Sequence, residues 1–190
     1  MRLAEDSGSA SGNRYLASAC CRRRDSPNPL APTVIRPTGP ADRDAILALV
    51  EGSGQFEAAA LAHVRSTLES HLAGQGDGIW LTADDGEPVG VAYCAPEAVT
   101  SGTWNLLMLW MRDDRHGQGH GTALVRQVEE ALRSRKARLL IVETSCLPAF
   151  ATARSFYAKC GFEHEATIRN YFAAGDHKMV LTKSLTPSAA

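Results

Sequence analysis

From residue 33 onward, short apolar runs alternate with amphipathic stretches, whereas residues 1–32 offer few large apolar side chains to bury. Residues 33–37, Thr-Val-Ile-Arg-Pro, read as a short strand. A turn through Pro40 then leads into Ile46, Leu49 and Val50 at helical spacing. A second amphipathic helix fits about residues 56–73, with Leu61, Val64, Leu68 and Leu72 on one face, His63 and His71 at the surface, and Gly74, Gly76 and Gly78 ending it. Residues 79–83 and 89–94 flank an Asp-Gly turn, a strong hairpin signal. Residues 105–112 are apolar on both sides of the alternation, as a strand covered on both faces must be.

A glycine-rich turn follows, then a helix over 122–135 whose stripe is Leu124, Val128, Ala131 and Leu132. Residues 139–144 predict a further buried strand. Residues 149–160 predict a helix with Phe150, Ala153, Phe156, Tyr157 and Cys160 on one face, stopped by Gly161. A hairpin over 163–171 and 177–183, turning through Gly175-Asp176, closes the chain. The predicted order is β α α β β β α β α β β, an α/β domain over residues 33–185, preceded by a disordered tail over 1–32 and followed by a short tail over 186–190.

Composition narrows the function classes. Of 190 residues 44% are hydrophobic, which excludes whole-chain disorder, and no apolar run approaches the ~20 residues of a membrane-spanning helix. Formal charge is −1. Five of the basic residues lie in the first 32 positions against three acidic ones, so the domain keeps 15 basic and 18 acidic residues, a poor surface for nucleic acid. The five cysteines, Cys20, Cys21, Cys94, Cys146 and Cys160, show no metal-ligand spacing and no disulfide framework. A reducing, cytoplasmic setting without metal is expected. Neither thiol of Cys146 or Cys160 has a histidine placed in sequence to activate it as a nucleophile.

The chemistry concentrates between residues 111 and 123. Gly117, Gly119 and Gly121 alternate ahead of a helix, so backbone can approach a ligand closely and several N–H groups face outward at a helix start. Such a turn suits phosphate or diphosphate, while the residues lack both the dinucleotide-fold fingerprint and the Gly-Lys-Ser/Thr of a P-loop.

Gly119-His-Gly-Thr-Ala-Leu after a buried strand end, followed about 30 residues later by Ala153-Arg-Ser-Phe-Tyr-Ala-Lys-Cys-Gly-Phe, resembles the GNAT superfamily of acyl-CoA-dependent N-acyltransferases. The resemblance covers about residues 33–185, and within the superfamily points to a small-molecule-type branch. It implies a mixed, mostly antiparallel central sheet flanked by helices. It further implies acetyl-CoA as co-substrate, held by His116, Gly117, Gln118, Gly119, His120, Gly121, Thr122 and Ala123, with Leu109 and Met111 along the pantetheine arm. The N–H of Met111 would bind the thioester carbonyl and the Tyr157 hydroxyl would protonate the departing thiolate. A small-molecule or peptide primary amine would attack directly in a ternary complex.

The base that frees that amine of its proton is not fixed by the resemblance. Glu143 ranks first, ahead of Asp113 and Asp114, whose positions before a helix also suit the helix dipole. Three positions depart from the family pattern: His116 stands for the usual Arg or Gln, Trp110 for a small residue, and Phe150 for an Asn. Trp110 is expected to reshape the acceptor pocket. A homodimer remains open, as does a non-catalytic acyl-CoA-binding sensor, and a nucleotide-binding module would be told apart by its preference for ATP or NAD.

Overall fold

A computed structural model describes residues 33–54 and 56–186, so the tail expected over 1–32 and all but Thr186 of the C-terminal one lie outside the described residues. Within them the expected order of elements is found. Strand β1 spans Val34–Pro37, followed by helices α1 Arg43–Glu51 and α2 Ala58–Leu72. Strands β2 Ile79–Asp84, β3 Pro88–Pro96 and β4 Thr103–Met111 precede helix α3, His120–Ser134. Strand β5 Leu139–Ser145, helix α4 Ala151–Lys159 and strands β6 Glu163–Ala173 and β7 Asp176–Ser184 complete the domain. Helix α4 starts two residues later than its apolar spacing predicts, because Pro148 opens a 3-10 turn over Pro148–Phe150 first.

The strands form one sheet in the order β1-β2-β3-β4-β5-β7-β6, antiparallel throughout except between β4 and β5. Helices α1 and α2 cover one face, packing Ile46, Val50, Val64 and Leu68 on Trp80, Val91, Met108 and Trp110. Helices α3 and α4 cover the other, packing Leu124, Val128, Leu132, Ala153 and Tyr157 on Leu81, Ala92, Leu109, Leu140 and Val142. Each large side chain so buried contributes about 1.5–3 kcal/mol of transfer free energy. Edge strand β6 is the exception: of its eleven residues only Phe172 is buried, so its alternation encodes pairing with β7 and not a covered face.

Strand β4 carries an irregularity that shapes everything around it. Its register with β3 slips between Tyr93 and Cys94, which leaves Leu107 as an extra residue between the partners Leu106 and Met108. An inserted residue inverts the side-chain phase of all that follows. Trp104 and Leu106 accordingly pack with α3 and α4, Met108 and Trp110 pack with α1 and α2, and Leu109 and Met111 return to the first side. Pairing of β4 with β5 stops early as well: only Thr103–Asn105 face Leu139–Ile141. Beyond that point β4 stays with β3 and β5 stays with β7, and the middle of the sheet opens.

Candidate active site

The opened edge of β4 presents backbone groups with no strand to meet. The N–H of Arg112 donates to the Val89 carbonyl at 2.8 Å, which makes Arg112 and Val89 a hydrogen-bonded pair of the antiparallel ladder. Successive residues alternate, so the N–H and C=O of Met111 and Leu109 point away from β3, into the gap. The Met111 carbonyl is taken by His116, whose ring Nε2 lies 3.0 Å away, while Nδ1 of the same ring is 3.9 Å from Asp113. His116 is thus a clamp on the end of β4 that the bare sequence motif did not suggest. Gly90 lies opposite Met111, and the methionine sulfur fills the space that a Cβ at position 90 would need.

Past β4 the chain makes a 3-10 turn over Asp113–Arg115 and enters α3 through two left-handed glycines, Gly117 at φ +74° and Gly119 at φ +88°. No side chain caps α3 and its first turn carries no acid. The first helical bond in this turn runs from the Ala123 N–H to the Gly119 carbonyl at 3.0 Å, which leaves the N–H groups before it without a helical acceptor. Gln118 folds back, its amide donating to the Asp114 carbonyl at 3.1 Å, so it offers backbone and not side chain to a ligand. His120 touches Gln118 Oε1 at 3.2 Å and Thr33 Oγ1 at 3.4 Å, and burial lowers its pKa, favouring the neutral ring. Gly121 backs onto Phe156, whose ring lies 3.4 Å from a Cβ built there.

Helix α4 supplies Tyr157. Its side chain is fully buried in the cluster that contains Leu109, Met111 and Val142, edge-on to Phe156 and Phe162 at centroid distances of 5.2 and 5.6 Å. Its hydroxyl has no hydrogen-bond partner, nor does the buried hydroxyl of Thr144 on β5. Burial drives the phenol pKa well above its ordinary value. An orphaned hydroxyl is costly to bury, and among the described residues these two share that state with the Trp80 indole N–H on the other face of the sheet.

Glu143 is placed differently from a free base. Its carboxylate accepts from the Lys178 ammonium at 3.0 Å, and that ammonium also lies 3.6 Å above the Tyr171 ring. Sequence reasoning missed Lys178, which is nearly buried although it reads as an ordinary surface residue of an amphipathic strand. Asp114 is paired with both Arg112 and Arg115, while Asp113 is open to solvent. Trp110 meets Phe56 edge-on at 5.6 Å within the α1/α2 core. The thiol of Cys94 is buried and pushed up to about 12, and desolvation also raises that of Cys160, so neither is poised as a nucleophile. Among the described residues no group of three His, Cys, Asp or Glu could hold a metal ion, and no helix is long and apolar enough to cross a membrane.

Residues 49–162, spanning β4, the glycine turn and α4, match the profile of the acetyltransferase (GNAT) family. The chain belongs to that family. No curated protein sequence matches it. Among solved structures, a protein assigned to the GNAT family from Desulfovibrio desulfuricans superposes with a TM-score of 0.74 at 28% identity, covering 82% of this chain and all of that one. An aminoglycoside 6'-N-acetyltransferase in complex with coenzyme A gives 0.71 at 17% identity, covering 83% and 99%. A ribosomal-protein-alanine N-acetyltransferase from Brucella melitensis gives 0.65 at 22% identity, covering 80% and 99%. The last two share the GNAT fold with this chain, and their acceptors differ widely. In this GNAT chain the residues singled out in the sequence lie on several elements: Leu109 and Met111 on β4, His116–Gly119 in the turn after it, His120–Ala123 at the start of α3, Tyr157 on α4, and Glu143 on β5, tied to Lys178.

Proposed function

We propose that the protein transfers an acetyl group from acetyl-CoA to a primary amine by direct attack in a ternary complex. The observation that carries this reading is the seam between β4 and β5, where backbone N–H groups lie on one side and the orphaned Tyr157 hydroxyl belongs to the same packed cluster. The chain's residues fit the donor along its length. The N–H groups from Gln118 to Ala123 would hold the diphosphate, with left-handed Gly117 and Gly119 shaping the turn. Leu109 and Met111 would pair with the amide-bearing arm as a strand pairs with its neighbour.

When bound, acetyl-CoA supplies an acetyl group activated as a thioester. The chain's part is then positional and electrostatic. The Met111 N–H stabilises the negative charge that develops on the carbonyl oxygen, a fixed dipole that needs no reorganisation. As the carbon–nitrogen bond formed and the carbon–sulfur bond broke, the Tyr157 hydroxyl would give its proton to sulfur; burial keeps the phenol protonated but makes it a weaker acid, so the transfer rests on position. The amine gives up its own proton to a base, for which Glu143 is our candidate once its pairing with Lys178 is loosened, and solvent reprotonates Tyr157. The free thiols Cys94, Cys146 and Cys160 suit a reducing compartment, and we place the reaction in the cytoplasm.

A thermal-shift titration against acetyl-CoA, CoA, ATP and NAD tests this, since a ligand held only by the native state raises its apparent stability. Selective stabilisation by the two CoA species, followed by thiol release on adding amines, is the expected result. Equal or greater stabilisation by ATP or NAD would overturn the reading.

A further inference from the structure

On the face of the sheet opposite Tyr157, a cavity of about 130 Å³ opens between α2 and the bulged part of β4. Phe56, Val64, Thr67, Tyr93, Leu107 and Met108 line it, with His63 at the exposed side of α2. The bulge is what makes it. In an unbroken strand Leu107 and Met108 would point to opposite faces, yet here both line one hollow. Leu109, whose N–H faces the seam, is the next residue, so the hollow adjoins the edge at which acetyl transfer would occur.

We infer that this cavity is the acceptor subsite and that it selects a primary amine bearing one compact apolar ring, an arylalkylamine of the size of 2-phenylethylamine. The inference rests on the acetyl-transfer reading above for its chemistry and on the cavity for its selectivity. Volume sets the size, because an apolar hollow of about 150 Å³ accommodates a benzene ring. The lining sets the class. Among the described residues no carboxylate borders the cavity, and Thr67, the one hydroxyl that α2 contributes to the lining, already donates to the carbonyls of His63 and Val64 at 3.0 and 3.1 Å. A polycationic acceptor would find no counter-charge there, whereas a ring would bury its faces against Phe56, Tyr93 and Met108.

The test measures binding and turnover separately. Ligand-observed NMR with 2-phenylethylamine and with kanamycin reports binding, and thiol release from acetyl-CoA reports transfer. Expected is saturable binding of 2-phenylethylamine, with a KM about tenfold or more below that of kanamycin. Thr67→Phe, which fills the hollow, should weaken that binding about tenfold while leaving the CoA-induced thermal shift unchanged. Leu107→Ala, which enlarges it, should move preference toward a naphthyl-bearing amine and serves if Thr67→Phe does not fold. Tighter binding of kanamycin, or unchanged binding of 2-phenylethylamine in both variants, overturns the inference. Transfer to other amines without binding of 2-phenylethylamine overturns it while leaving acetyl transfer standing. Binding that responds to the variants but yields no transfer to any amine supports the cavity's selectivity and overturns the acetyl-transfer reading instead.

Discussion

The guanidinium of Arg115 donates to the carboxylate of Asp85 at 2.7 Å, with only 12% and 3% of the two side chains exposed. One partner lies in the turn that enters the glycine cradle and the other in the β2–β3 turn, so the cradle is braced from outside its own loop. Arg112 adds a second brace to Glu87 at 2.6 Å. Asp85→Ala leaves a nearly buried cation without its main partner, and we expect a loss of about 3 kcal/mol of stability. The cradle should loosen with it, raising the Kd for CoA about tenfold. Chemical denaturation and CoA titration measure the two effects, and an unchanged Kd in a destabilised Asp85→Ala protein would show that the brace serves the fold alone.

Tyr157 makes an opposite prediction for stability and activity. Its hydroxyl is buried without a partner, so Tyr157→Phe removes an unsatisfied polar group and should leave the protein as stable or more stable by about 1 kcal/mol. Turnover should fall about tenfold or more with CoA affinity unchanged, as expected for a group used only in the transition state. A protein that loses stability and keeps its turnover would assign Tyr157 to packing.

Much of this arrangement was legible in the sequence because it is local. The order of elements follows from apolar periodicity, and Gly117, Gly119 and Gly121 announce the cradle through residue type alone. What the sequence left out is relational. Residues 105–112 read as one apolar run, and nothing in them says that Leu107 is surplus or that the side-chain phase inverts there, since that depends on which β3 residue each one meets. The seam is hidden for the same reason: it exists because β5 keeps to β7 beyond Ile141. Likewise Glu143 can be recognised as a carboxylate near a strand end, but its partner Lys178 lies 35 positions away on β7. The acceptor cavity combines α2 with β3 and β4 and has no contiguous signature at all.

Gly119 separates the cost of backbone strain from the cost to the ligand. It holds φ +88° at the start of α3, and an alanine there is strained by about 1–2 kcal/mol. Gly175, at φ +81° in the β6–β7 turn, would suffer comparably but is not part of the cradle. Both Gly119→Ala and Gly175→Ala should lower Tm, whereas only Gly119→Ala should weaken CoA binding, by about tenfold if the N–H groups of the turn are re-aimed. Equal CoA affinities for the two variants would remove the α3 turn from the donor site.

The acid limit of stability should be governed by the anchor of β1. Arg36 donates to both oxygens of Asp42, at 2.6 and 2.7 Å, and also reaches Asp84 on β2. The hydrogen bonds from Arg36 hold the Asp42 carboxyl below its ordinary pKa, against the opposing effect of burial and with help from the Gly39 N–H. Asp84 is lowered by Arg36 and by the Gly86 N–H. A carboxyl whose folded pKa lies below its unfolded one contributes stability above the unfolded value, about 3.9, and loses it as pH falls through the folded value. Stability measured by denaturant titration should therefore decline below about pH 4. In Asp42→Asn the plateau near neutrality should be lower and the acid decline shallower, because one of the carboxyls that takes up a proton late is gone. An acid limb of unchanged slope in that variant would mean that other carboxyls set the limit, and that Arg36 secures β1, with Thr33 beside His120, through Asp84 alone.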